Sequence, residues 1–409
     1  MDIYQPAEDS YLLQKQVKKY AFGRVLDLGT GSGIQALTAA KSKNVREIVA
    51  VDINPDAIKE LKEKFEKNKI PLKKIIFKES DLFTTVKDKF DTIIFNPPYL
   101  PEDKIGKETI QDPALYGGKH GWELSELFFN EVNHFLVANG KILFLFSSLT
   151  NKEKIEEIIV NNLLEFKELA KEKLPMFETL YAYLVEKSQL LRDLEKMNIA
   201  GIKYFTHGKR GNIFIAQLDQ SKFIKSHFAK KKIIKVGIKI KRKESQAIER
   251  IENEARWLKI LNKEGIGPNL LFSGDKYLVY RFIEGEFILD WIKDKDNNKK
   301  MINKVLIEML QQCFILDKLK VNKEEMHHPL KHIIVDKFNH PTLLDFERCS
   351  KTDKPKNVTQ FVEFICRMKK ELVNKNITIN VAELRKLAKE YKTNINQKNL
   401  EMIINSLNS

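Results

Sequence analysis

The 409-residue sequence predicts two successive units: a doubly wound α/β domain over residues 1–187 and, after a linker at 188–195, an α+β domain over 196–370 that ends in a helical C-terminal extension, 371–409. Three observations predict this division. Between Arg24 and Lys187 short apolar runs alternate with helix-period segments, the pattern of a parallel sheet whose strands are apolar on both faces and need helical crossovers. Around Lys187 to Lys196 the alternation lapses into SQLLRDLEK. Charge divides at the same place, with 27 basic against 29 acidic residues up to Lys187 and 44 against 27 beyond it. The whole-chain excess of +15 therefore belongs to the second unit, which excludes a uniform nucleic-acid-binding surface.

The elements follow in order. RVLDL, EIVAVD, KKIIF, FDTIIF and KILFLFSS read as strands; IQALTAAKS, PDAIKELKEKFEKN and the stretch from Trp122 to Val137 read as helices. In the second unit IKYF, the turn HGKRG and NIFIAQL form a hairpin, and KVGIKIK is another strand. SQAIERIENEARWLKILNKEG is an amphipathic helix closed by Gly265, and KYLVYRFIEGE supplies two more strand segments. Beyond Glu286 the chain reads as mostly helical, apart from HHPLKHIIVDKFNHPTLLDFE. No run approaches the roughly 18 apolar residues a membrane span needs, and the start MDIYQPAEDSYLL lacks a basic flank before an apolar run, so a cytoplasmic location is expected. Cys313, Cys349 and Cys366, widely spaced and without a CxxC, are expected to be reduced and structural.

VLDLGTGSG places Asp27, Gly29, Gly31 and Gly33 in the first strand-to-helix turn, where glycine permits a tight bend and close approach of a ligand to the backbone. Nicotinamide and flavin binders share such a turn. Asp52, about 20 residues on, is placed to accept from ribose hydroxyls, although it and Asn54 also precede a helix and suit its N-cap. Asn96-Pro97-Pro98-Tyr99 after the strand DTIIF decides between cofactors. Methylating a planar NH2 group requires its lone pair to be drawn out of conjugation; an Asn oxygen and the Pro97 carbonyl can accept its two hydrogens, while Tyr99 offers an aromatic face.

Residues 1–187 resemble the HemK-type class-I S-adenosylmethionine-dependent methyltransferases, which are Rossmann-like and methylate a glutamine side chain. YQPAEDSYLL, VLDLGTGSG, VDINPDAI, SDLF at Ser80 to Phe83 and FNPPY, with DPALYGGKHG after it, are similar to the archaeal and eukaryotic branch that modifies the GGQ glutamine of class-I release factors. The resemblance implies that Ser10, Asp27, Gly29, Asp52, Asp81 and Leu82 contact S-adenosylmethionine, with Gly31, Gly33 and Asn96 completing that wall, and that Asn96 and Pro97 hold the substrate amide. It also implies a small zinc-containing activator subunit. Adenine amino-group methyltransferases of RNA or DNA share NPPY and stand as the alternative, with the basic second unit as nucleic-acid grip.

Residues 196–370 resemble atypical protein kinases, in particular predicted archaeal serine/threonine kinases. HGKRGNIFIA, with Gly208, Lys209, Arg210 and Gly211, is similar to a glycine-rich hairpin over nucleotide phosphates; Lys239 stands at the strand lysine and Glu254 at its helix partner, with Glu252 as second choice. TLLDFE places Asp345 as a Mg2+ ligand, so ATP and Mg2+ are implied. Register against IIV puts His332 at the usual Asn and His327 at the usual Asp, with Glu325 as another candidate base. The four histidines from His327 to His340 do not form a convincing metal set. From Lys222 to Lys243 ten basic residues and no acid (Lys222, Lys225, Lys230, Lys231, Lys232, Lys235, Lys239, Lys241, Arg242 and Lys243) interleave with Phe223, His227 and Phe228; RNA or ribosome contact and a solvated strand pair are equal readings.

Overall fold

The computed structural model describes residues 3–102, 115–175, 177–207, 211–223, 232–241 and 250–408. The chain divides into two compact units, Met1–Lys203 and Tyr204–Ser409.

The first unit runs α1 (Glu8–Tyr20), β1 (Gly23–Leu28), α2 (Ile34–Ala40), β2 (Val45–Asp52), α3 (Pro55–Lys67), β3 (Ile75–Glu79), β4 (Phe90–Phe95), α4 (Glu123–Glu131), β5 (Leu136–Ser147), α5 (Lys152–Asn161), β6 (Leu164–Lys173), β7 (Thr179–Lys187) and α6 (Gln189–Lys196). Its seven-stranded sheet has the order β3-β2-β1-β4-β5-β7-β6. The first five strands are parallel, and β7 and β6 close the edge antiparallel. The central strands are buried on both faces: Val25, Leu26, Ile93, Ile94 and residues 142–146 are inaccessible to solvent. Burial of this apolar surface stabilises the unit by roughly 25 cal/mol per Å². Between β1 and β4 the strand order reverses, and the crevice beyond the strand ends at such a point is where open α/β sheets take ligands.

Three expectations change here. β6 and β7 extend the sheet beyond the five strands read from the sequence; β6, LEFKELAKEK, is a charged edge strand, so its pattern carries none of the apolar signal of the centre. The helix expected to Val137 ends at Glu131, and strand β5 has begun by Leu136. Residues 188–195, expected as a linker, form helix α6: Ser188 caps it through the Leu191 N–H (3.1 Å), and the buried Lys187 donates to Glu195 (2.6 Å) and to the Asn133 carbonyl (3.0 Å).

The second unit carries β8 (Ile199–His207), which spans the division, then β9 (Gly211–Asp219), β10 (Ile233–Lys241), α7 (Arg250–Leu261), β11 (Leu270–Ser273) and β12 (Tyr277–Arg281), forming a sheet ordered β11-β12-β10-β9-β8. There follow β13 (Glu286–Phe287), α8 (Ile288–Lys293), α9 (Lys299–Lys318), β14 (Val321–Asn322), β15 (Ile333–Val335), β16 (Pro341–Leu343), β17 (Ser350–Lys351), α10 (Asn357–Arg367), α11 (Lys369–Val373), α12 (Val381–Thr393) and α13 (Gln397–Asn408). Residues 371–409, expected as an appended extension, share one core with the rest: Leu384, Tyr391, Ile403 and Leu407 pack in the same cluster as Leu258, Met309 and Phe361. Buried Asp317 ties the helices together, accepting from the Asn357 amide (2.7 Å) and the Tyr391 hydroxyl (3.1 Å). All three cysteines are buried free thiols. Among the described residues no helix is long and apolar enough to cross a membrane.

Candidate functional site

In the first unit β1 hands over to a turn in which Gly29, Gly31 and Gly33 have φ of 64°, 49° and 78°. Buried Asp27 closes this turn, one carboxylate oxygen accepting from the Thr30 hydroxyl (2.6 Å) and from the Ala36 N–H (3.0 Å) at the start of α2. Burial pushes its carboxyl up to about 6, against the pull of those hydrogen bonds. Asp52 at the end of β2 accepts from the Gly31 N–H on one oxygen (2.8 Å) and from the Asn54 N–H on the other (2.9 Å), leaving each oxygen a lone pair for a ribose hydroxyl. Asn54 itself caps α3 through the Asp56 N–H (3.0 Å).

Above the turn lies a cavity of about 510 Å³ lined by Ser10, Asp27, Gly29, Gly31, Asp52, Asp81, Leu82 and Asn96, with Ile53, Leu124 and Leu127 as apolar wall. A Cβ built on Gly29 or Gly31 meets nothing within 4 Å, so bare backbone faces this space. Open backbone beside a ribose acceptor and an apolar wall fits S-adenosylmethionine. Gly33, predicted with these residues as a ligand contact, faces elsewhere: a Cβ there would lie 2.2 Å from Leu61 Cδ1, so its bareness lets α2 approach α3. Leu82 is held at φ 42° by Ser80, whose hydroxyl donates to the Leu82 carbonyl (2.9 Å) and accepts from the Thr85 N–H (3.1 Å).

Asn96 lines this cavity and also a smaller one of about 50 Å³, shared with Tyr4, Asp9, Pro97 and Tyr99. Its Nδ2 donates to Asp9 Oδ2 (2.9 Å), while its Oδ1 is buried and has no hydrogen-bond partner. Asp9 Oδ1 accepts from the Tyr4 hydroxyl (3.1 Å). Burial, reinforced by the Asp9 charge, raises both the Tyr4 and Tyr99 phenols well above their ordinary range, so both stay protonated. Sequence reasoning missed Tyr4, Asp9 and Ser80. The structure places Asp9 in the first turn of α1, a helix not read from the sequence, and in the sequence only its position beside Ser10 points toward the site.

The second unit gathers Lys239, Glu254 and Asp345 at one place. Lys239 Nζ on β10 donates to Glu254 on α7 (2.6 Å) and to Asp345 (3.1 Å), with Glu347 3.6 Å away. Burial opposes charge on Lys239, but Glu254 and Asp345 override it and raise its pKa. Burial would raise Asp345 too, yet Lys239 and Lys323 hold it below the usual carboxylate range. Glu252 is exposed and takes no part. Asp345 sits at φ 62°, and its carbonyl accepts from buried Lys323, which lies 3.6 Å from Glu325. His332 stands 3.9 Å from Asp345 and is kept toward its neutral form by burial and then by Lys323. His327, aligned with the usual Asp, is exposed and its ring meets the Glu324 carbonyl (3.3 Å); Glu325 is the acid that reaches this centre, through Lys323. Glu254, Asp345 and Glu347 carry oxygens within 4.8 Å of one another; among the described residues this is the metal-capable group, and it contains no histidine.

Gly208, Lys209 and Arg210 lie outside the described residues, as do Lys225, His227, Phe228, Lys230, Lys231, Arg242 and Lys243 of the basic stretch. Gly211 is needed for strand pairing, since a Cβ there would come within 2.9 Å of the Ile240 carbonyl. Lys235 pairs with Glu284 (2.6 Å) and Lys239 is engaged as above, so neither is a free phosphate contact.

Bare glycine backbone beneath a nucleoside-sized cavity, with an Asn-Pro-Pro loop at the end of the fourth strand, defines the first unit as a Rossmann-like S-adenosylmethionine-dependent methyltransferase, and the family model for the methyltransferase small domain matches residues 7–173. Over 159 residues the chain is 42% identical to a Methanocaldococcus jannaschii protein provisionally named protein N5-glutamine methyltransferase, covering 38% of this chain and 79% of that one. The chain belongs to the protein N5-glutamine methyltransferase family. Human Methyltransferase HEMK2 is 29% identical over 167 residues, 39% of this chain and 78% of that one. A release factor glutamine methyltransferase of Streptococcus pneumoniae is 32% identical over 124 residues, 29% of this chain and 43% of that one. Among solved structures, the E. cuniculi Mtq2–Trm112 complex, described as responsible for methylation of the eRF1 termination factor, is 25% identical with a TM-score of 0.37, covering 46% of this chain and all of that one.

Proposed function

We propose that the first unit methylates the glutamine of the Gly-Gly-Gln segment in a class-I translation release factor. Relatives named as release factor glutamine methyltransferases support the substrate. The observation that carries the chemistry is Asn96 Oδ1, a buried acceptor without a partner on a loop whose two prolines have no N–H to offer it. S-adenosylmethionine, when bound, supplies an electrophilic methyl on a sulfonium. Asn96 Oδ1 and the Pro97 carbonyl accept the two amide hydrogens and turn the nitrogen lone pair out of conjugation, with Tyr99 beside the planar group. The test is radiolabelled methyl transfer to a cognate release factor and to its Gln→Ala variant, each with and without the small zinc-containing subunit the family resemblance implies. Label in the wild-type factor alone is expected; label in both factors, or in neither under every condition, rejects the assignment.

For the second unit we propose a kinase-like module that binds ATP with Mg2+. The supporting observation is the Lys239–Glu254 pair between a strand and the helix after it, with Asp345 alongside; protein kinases need such a pair and a metal-bound Asp together. Carboxylate oxygens suit Mg2+, but Lys239 now occupies the space among the three acids, so metal binding requires it to turn toward phosphate. ATP binding by the wild-type chain and its loss in Lys239→Met are expected from calorimetric titration. Absence of binding in the wild type, or full affinity in the variant, rejects the reading.

A further inference from the structure

We propose that Asp9, braced by Tyr4, is a positioning residue for methyl transfer: it fixes the Asn96 amide so that the oxygen, and not the NH2 group, is presented to the substrate nitrogen. The proposal rests on the glutamine methyltransferase reading of this site and adds a component of it. The two ends of an asparagine amide are nearly identical in shape, so packing alone cannot choose between orientations separated by a half-turn; hydrogen-bond partners must. Asp9 makes the choice. A carboxylate oxygen accepts, so the face of Asn96 turned toward it is the NH2 group, and the 2.9 Å contact is that bond. Oδ1 is then left on the other side, buried and unpartnered.

Asp9 is itself held. Its second oxygen accepts from the Tyr4 hydroxyl at 3.1 Å, and because burial and the Asp9 charge keep that phenol protonated, Tyr4 serves as donor throughout. Asp9 also lies in the first turn of α1, where the unpaired N–H groups favour a carboxylate. The hydrogens therefore run from Tyr4 to Asp9 and from Asn96 to Asp9. This chain of contacts joins residues 87 positions apart and makes the segment before β1 a working part of the site. A reversed amide would aim a donor at the substrate's own N–H bonds and repel the nitrogen it should hold.

The experiment compares wild type, Asp9→Asn, Tyr4→Phe and the reciprocal double variant Asp9→Asn/Asn96→Asp, with the release factor as methyl acceptor and S-adenosylmethionine affinity measured separately by calorimetric titration. In D9N the new amide can offer Asn96 either an oxygen or an NH2 group, so the choice of orientation is lost; kcat is expected to fall about a hundredfold, the scale of a misplaced reacting group, with cofactor affinity retained. In the double variant the amide at position 9 donates to one oxygen of the carboxylate at position 96, and the other oxygen is presented to substrate whichever way the group turns. At least about tenfold of the D9N loss should return, and such coupling is what a double-mutant cycle isolates. Y4F is expected to lower kcat less than D9N does. Wild-type kcat in D9N, loss of cofactor affinity in parallel with kcat, or a double variant no faster than D9N would each overturn the proposal. Failure of the wild-type enzyme to label the release factor would instead sink the substrate assignment and leave the other comparisons to be made with a glutamine peptide.

Discussion

Two alanine substitutions two residues apart should fail for different reasons. In Gly33→Ala the new Cβ lies 2.2 Å from Leu61 Cδ1, and Leu61 is wholly buried, so the collision cannot be relieved into solvent. A side chain at φ 78° costs about 1–2 kcal/mol, and overpacking a core leucine adds about 1–3. The sum of about 2–5 kcal/mol corresponds to a fall of roughly 5–15 °C in the melting temperature of a unit this size. In Gly31→Ala the Cβ meets nothing within 4 Å, so only the cost of about 1–2 kcal/mol for its left-handed backbone remains, but the methyl group enters the cofactor cavity. Thermal unfolding of the full chain, following the transition that S-adenosylmethionine raises, separates the two. G33A should melt early yet keep its ligand-induced shift per bound cofactor; G31A should melt only slightly low and lose most of that shift, each tenfold loss of affinity removing about 1.4 kcal/mol of stabilisation. A G33A transition at the wild-type temperature, or a G31A variant with wild-type cofactor affinity, would refute this division of labour.

Asn96→Ala removes the acceptor and should lower kcat by about 10²–10³-fold, while calorimetric titration shows cofactor affinity nearly retained. Asp27 gives a pH signature: its folded pKa of about 6 exceeds the unfolded value of about 4, so its contribution is complete below about pH 4 and is lost as pH rises toward 6, by up to about 3 kcal/mol. Asp27→Asn keeps an oxygen for Thr30 and Ala36 and should remove that slope from urea-unfolding midpoints measured across the window. Lys239→Met leaves the buried Glu254 carboxylate uncompensated and should destabilise the second unit by about 3–5 kcal/mol near neutral pH. Because burial already pushes Glu254 toward protonation, denaturant titrations should show this loss shrinking as pH falls.

The glycine turn, Asp52 and the Asn-Pro-Pro-Tyr loop are legible in the sequence because each is a short contiguous stretch at the end of a strand whose apolar run announces it. The same local logic recovers the five parallel strands of the first unit and the hairpin, third strand and following helix of the second, placing Lys239 on a strand and Glu254 on a helix, but it passes over α1 and α5. It does not reach the antiparallel edge of the sheet, since β6 and β7 pair across a short connection and the outer strand is too charged to show a buried pattern. Nor does it separate Gly33 from Gly31: identical residues in one turn differ only in what lies opposite, Leu61 for one and open cavity for the other.

The position and stiffness of the Asn96 loop were thus determined by the sequence alone, because a Pro-Pro turn after a buried strand leaves the chain little choice. Tertiary structure decided which way that acceptor faces, through Asp9, and which acids share the ammonium of Lys239, 15 and 106 residues away along the chain. Hydrogen bonds and charges act over a few ångströms of space, and only folding converts distance along the chain into distance of that kind.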